Sequence, residues 1–110
     1  MIKRVIYLNS IEELDLNNIG VHFTSDKYYR HSGGGSNGLT EVKKIEVVIC
    51  IDRVSKNKIN EKATAISNAN YPSEKEVVLE MNTEFSAWVL GKKVKINTGT
   101  RADLWVKNLK

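Results

Sequence analysis

Two carboxylates one residue apart, Glu74 and Glu76, stand in the stretch from Asn70 to Phe85, where the turn signal Asn70-Tyr71-Pro72-Ser73 runs into the apolar Val77-Val78-Leu79. Side chains alternate across a strand, so Glu74, Glu76 and Val78 are expected on one face and Lys75, Val77 and Leu79 on the other. Like charges that close disfavour one another. A strand gains from them only where a cation or a polarised substrate stands opposite. The plainer account is a solvated face with the alternate residues in the core, the commoner origin of a Glu-x-Glu pair.

Upstream, polar groups with chemical capacity fall in two further strands. Ile2 to Leu8 is rich in β-branched residues and reads as a first strand that contains Arg4, which on its own is most simply an arginine on a wet face. Val21 to Asp26 reads as a second strand, with His22 and Thr24 on one face, Phe23 on the other, and Ser25 following. Asp26 is placed to cap a short helix through Tyr28, Tyr29 and Arg30.

The elements that must carry these groups follow from pattern. Ser10 with Glu13 three residues on is a cap signal for a helical turn. Lys43 to Val54, apolar on both faces at Val47-Val48-Ile49-Cys50-Ile51, is the expected central strand. Ser55 to Asn60 is a polar turn, and Ala63 to Asn70 carries the chain back. Glu84 to Leu90, Gly91-Lys92 and Lys93 to Ile96 form a hairpin, Asn97 to Thr100 a turn, and Ala102 to Leu109 a last strand. Trp88 and Trp105 are expected to pack in the core or on the sheet. His31 to Gly38 is rich in glycine, which is costly to order, and its spacing matches no phosphate-loop pattern. It reads as a mobile loop able to close over a ligand.

Composition bounds the rest. The chain has 110 residues, enough for a single domain over 1–110 with one core. Seventeen Lys and Arg against thirteen Asp and Glu give +4, which suits an anionic partner. A nucleic-acid partner ranks low, because the lysines are scattered in sequence rather than gathered with aromatics. One cysteine, Cys50, excludes an internal disulfide and reads as a core thiol; with two histidines it gives no zinc spacing, so no metal is expected. No apolar run reaches membrane-spanning length and no signal peptide is recognisable, so the expected location is the cytoplasm.

Pro72-Ser73-Glu74-Lys75-Glu76-Val77-Val78-Leu79, followed six residues later by Phe85, resembles the E-x-E segment of the ADP-ribosyltransferase family. Gly20-Val21-His22-Phe23-Thr24-Ser25 is similar to the family's second motif, written Ser-Thr-Ser in many members and His-x-Thr in others. Arg4, within Ile2-Lys3-Arg4-Val5-Ile6, matches the arginine of the family's first strand; a second register puts Tyr7-Leu8 there. Thr24 and Glu76 lie about fifty residues apart, which suits the family's layout.

The resemblance implies an α+β fold of two facing, mostly antiparallel β-sheets with a few short helices and NAD in the cleft between them. It implies a mono-ADP-ribosyltransferase that takes NAD as co-substrate and moves ADP-ribose to an acceptor. Arg4 would hold the NAD phosphates with its planar, permanently charged fork. His22, Thr24 or Ser25 would hold the nicotinamide ribose and brace the glutamate, and the choice among the three stays open. Tyr28 or Tyr29 would stack on nicotinamide. Glu76 would stabilise the oxocarbenium-like sugar left when nicotinamide departs, and Glu74 would orient or deprotonate the acceptor. A glutamate in Glu74's place goes with arginine on a partner protein as acceptor. A compact chain of this kind would suit a phage-encoded or toxin-like effector. The alternative is a catalytically silent module on the same scaffold that inhibits a partner protein by direct contact.

Overall fold

The computed structural model describes residues 1–26 and 45–100. β-Branched residues fill two long strands, Ile2–Leu8 (β1) and Ile45–Ile51 (β3), and favour extended backbone. They pair antiparallel along their whole length, from Ile2↔Ile51 to Leu8↔Ile45. Beyond β3 come β5 (Glu84–Val89) and β6 (Lys92–Asn97), joined through Leu90 at φ 53° and Gly91 at φ 77°. Two consecutive left-handed residues make the tight turn that matches strand twist, and glycine takes its place there without a Cβ penalty.

On the other side of β1 lie two short strands, β2 (His22–Thr24) and β4 (Glu76–Val78). The order is β4-β2-β1-β3-β5-β6, with every recorded neighbour antiparallel. The end of β6 returns to the segment before β2. Asn97 N–H donates to the Leu16 carbonyl at 2.8 Å, and Ile19 and Gly20 N–H donate to the Asn97 and Thr98 carbonyls at 3.0 Å. The sheet therefore curls.

One face of the sheet holds the core: Ile2, Leu8, Phe23, Val47, Ile49, Ile51, Phe85, Ala87, Val89 and Ile96 are buried together. The alternation in β5, buried at Phe85, Ala87 and Val89 and exposed between, shows one apolar face with the other toward water. The architecture is α+β, a curled antiparallel sheet with one α-helix among the described residues. Instead of two facing sheets, the described residues make one six-stranded sheet. β1 pairs with β2 on one side and β3 on the other, which joins the strands into one sheet, and twist brings its ends together.

That helix, α1 (Glu61–Asn70), occupies the stretch read from sequence only as a return. Asn60 caps it, its Oδ1 accepting from Ala63 N–H at 3.0 Å. No residue of α1 is buried, so apolar packing is not what attaches it.

Ser10 accepts from Glu12 N–H and Glu13 accepts from Asn9 N–H, closing the expected cap on a short 3-10 turn over Ile11–Glu13. Cys50 is half-buried rather than in the core, and of the two places expected for Trp88 the core is excluded: it stands 44% exposed on the outer face of the sheet as the cross-strand partner of Cys50. The helix through Tyr28, Tyr29 and Arg30, the glycine-rich 33–38 segment, the last strand at 102–109 and Trp105 lie outside the described residues.

Candidate functional site

β2 and β4 bring the sequence-distant polar residues into register. Thr24 pairs with Glu76, Phe23 with Val77 and His22 with Val78. Directly opposed residues share a face, so His22, Thr24 and Glu76 lie on one side and Phe23 and Val77 on the core side. Phe23 is fully buried in the core and the half-buried Val77 packs against that core, which turns the Glu76 side chain to the opposite face.

Glu76 is only 5% exposed. Its Oε1 lies 3.4 Å from His22 Nδ1, an ion pair whenever the imidazole is protonated, and Ser67 of α1 donates its hydroxyl to Oε2. A buried carboxylate is tolerable only with such partners, since desolvation without them costs several kcal/mol, on the order of a whole domain's margin.

The helix positions this strand through side chains. Asn68 Oδ1 accepts from Glu76 N–H at 3.1 Å while its Nδ2 donates to the Glu76 carbonyl at 3.0 Å. One turn earlier, Thr64 Oγ1 accepts from Val78 N–H at 2.9 Å and donates to the Val78 carbonyl at 3.3 Å. Positions 64 and 68 lie on one helix face, and their amide and hydroxyl stand where a neighbouring strand's peptide groups would. Ser67, on the same face, reaches the carboxylate itself. Sequence reading missed all three; the signal was Thr64, Ser67 and Asn68 at helical spacing behind an Asn60 cap.

The second-motif residues separate by role. His22 sets its Nδ1 beside the Glu76 carboxylate. The Thr24 hydroxyl, on a residue 1% exposed, donates to the Glu74 carbonyl at 2.6 Å and accepts from Asp26 N–H at 3.1 Å. The exposed Ser25 donates to the Lys75 carbonyl at 3.2 Å. Thr24 and Ser25 therefore fasten the 74–75 turn to β2.

Glu74 does not continue the strand. It ends a 3-10 turn over Pro72–Glu74, and Lys75 takes a left-handed φ of 48° before β4 begins at Glu76. Proline presets the first turn position and the left-handed residue breaks the alternation, so the two carboxylates do not form the expected one-face pair.

Arg4 has even parity on β1 with Ile2, Ile6 and Leu8, the core side, and pairs with the fully buried Ile49. Its guanidinium nevertheless reaches β2. Nη1 donates to the His22 carbonyl at 2.8 Å, and a Cβ on Gly20 would lie 3.5 Å from its Cζ. The reach exists because β1 and β2 pair only at Lys3↔Thr24 among the described residues and then part. Arg4, His22 and Glu76 thus form a continuous chain of contacts across β1, β2 and β4, although Arg4 and Glu76 start from opposite faces.

Among the described residues no group of three or more His, Cys, Asp or Glu is arranged to hold a metal ion, and no helix is long and apolar enough to cross a membrane. Comparison with protein-family models, with curated proteins and with solved structures returned no match.

Proposed function

We infer that this chain is a mono-ADP-ribosyltransferase acting on NAD, with arginine on a partner protein as the acceptor. The observation that carries it is the contact of His22 with Glu76, two residues that the resemblance assigns to one site and that stand on β2 and β4, with β3 and α1 between them in the chain. In the reaction the bond between the ribose C1′ and nicotinamide breaks, and its electron pair leaves with nicotinamide. Glu76 stabilises the positive charge that develops on the sugar, and burial strengthens that interaction relative to water. His22 holds the carboxylate in place, Ser67 fixes its second oxygen, and Arg4 holds the backbone of His22. The acceptor nitrogen then bonds to C1′ and loses its proton to Glu74 on the adjoining turn. Arg4's bond to the His22 carbonyl makes it a positioning residue in this scheme, in place of the phosphate holder implied by the resemblance.

A second reading has its own support. Glu76 at 5% exposure, engaged by Ser67, and Glu74 displaced from the strand are also what a silent binding module would show, with the carboxylate serving only to join α1 to the sheet. Calorimetric titration with NAD separates the two. The transferase binds NAD, and Glu76→Gln, which keeps the size of the side chain but removes its charge and turns one accepting oxygen into a donor, retains binding while transfer of labelled ADP-ribose to lysate proteins falls by about a hundredfold or more. Absence of NAD binding by the native chain, or equal transfer by Glu76→Gln, would overturn the transferase in favour of the module.

A further inference from the structure

The outer side of β3, β5 and β6 carries a second arrangement, independent of the NAD reading. Strand register places Lys3, Cys50, Trp88 and Lys93 in one row across four strands, with Ser86 and Lys95 paired in the next. Trp88 is 44% exposed, and its indole Nε1 donates to Asp52 Oδ2 at 3.3 Å. Lys93 Nζ lies 5.9 Å from the centre of the indole ring. A tryptophan tethered at its polar edge presents a fixed aromatic plane to solvent, and the neighbouring cation adds a charge that stacks or pairs with whatever lands on it.

Beside this plane opens a cleft of about 470 Å³ lined by Asp52, Arg53, Lys58, Glu84, Phe85 and Lys93, among others. Its two acids are already engaged, Asp52 by the indole and Glu84 by Lys95 at 3.9 Å. Three cations, Arg53, Lys58 and Lys93, against these two acids leave the cleft one positive charge in excess, with Lys58 held 5.1 Å above the Phe85 ring. The lysines and aromatics that are dispersed along the sequence are collected by the sheet.

We propose that this face binds single-stranded nucleic acid, one base stacking on Trp88 while Arg53, Lys58 and Lys93 hold the adjacent phosphates. Exposed aromatic planes next to a cationic groove are what unpaired bases use, because every base offers a flat face and every link a charge. An acidic peptide would satisfy the cations and leave the indole plane unused. A duplex keeps its bases stacked within itself and offers Trp88 nothing.

The test is fluorescence anisotropy of a labelled thymidine oligonucleotide of about 12 nucleotides, a length that covers a typical single-strand site. Native chain is expected to bind at about 50 mM salt and to weaken toward about 200 mM with a log–log slope near −2, as about three phosphate contacts on a single strand require. Trp88→Ala should weaken binding about tenfold or more. Lys93→Glu should weaken it and flatten the salt slope by about 1. Both positions are exposed, and unchanged circular dichroism keeps either variant informative. Lys62→Ala, on α1, should leave the affinity unchanged. Three results would overturn the proposal: no binding at low salt, native affinity in Trp88→Ala, or competition by heparin or duplex DNA as effective as by the unlabelled single strand.

Discussion

Asn68→Ala tests whether α1 holds β4 through side chains. The amide of Asn68 makes three bonds, to Glu76 N–H at 3.1 Å and to the Glu76 and Thr64 carbonyls at 3.0 Å. Each bond contributes about 1 kcal/mol net, so their loss sets a ceiling near 3 kcal/mol, with a larger penalty only if the orphaned peptide groups stay dry. Alanine returns roughly 0.5 kcal/mol through its better helix propensity. Asn68 is half-buried, so water recovers part of the remainder. The expected loss is about 2 kcal/mol. In urea unfolding followed by circular dichroism, that is a midpoint lowered by about 1 M at an unchanged slope of about 2 kcal/mol per M. Asn70→Ala, at the exposed end of the same helix, should stay within about 0.5 kcal/mol of native. An Asn68→Ala midpoint indistinguishable from that of Asn70→Ala would refute the attachment described here and place the hold on β4 elsewhere.

Gly99→Ala should cost about 3 kcal/mol, since φ is 74° and a Cβ would lie 2.9 Å from Asn18 Cα, adding backbone strain to a clash with a neighbouring main chain. Gly91→Ala, at φ 77° with nothing within 4 Å of the added carbon, should cost only the strain of about 1 kcal/mol, and equal melting shifts in a calorimeter would sink the distinction. Thr98→Val should cost about 2–3 kcal/mol, because the buried hydroxyl donates to the Glu80 carbonyl at 2.7 Å and accepts from Thr83 N–H at 3.0 Å. Thr98→Ser should restore most of it in the same chemical-denaturation assay, and a threonine-to-valine change without effect would mean that water satisfies both groups.

Local pattern announced much of the fold. The β-branched runs of β1 and β3 and the Ser10 cap were legible, and so was the β5–β6 hairpin, although its turn falls at Leu90-Gly91, one residue before the expected Gly91-Lys92, since each rests on propensity or turn chemistry within a few residues. α1 was not. Its apolar residues are few and none is buried, so the periodicity that reveals a helix is absent, and its purpose lies in Thr64, Ser67 and Asn68, whose partners sit on another element. The meeting of His22 with Glu76 could be anticipated only through the resemblance. The loss of Glu74 from the strand could not, because it depends on the left-handed backbone at Lys75, a residue type that gives no warning of it. The outer-face row of Lys3, Trp88 and Lys93 was likewise hidden, since register, a long-range property, decides which residues become neighbours.

The sealing of β4 by a helix without a buried residue has a consequence for how this chain fails. Local opening of α1 needs no loss of apolar core and so lies well below global unfolding in free energy. Once open, it bares the peptide groups of Glu76 and Val78 beside Val77 and Leu79, a short apolar template for another copy of the same sequence. Fibril seeding or domain exchange would start there, at a rate that follows the helix's opening equilibrium and that tightening α1 would slow even with the melting temperature unchanged.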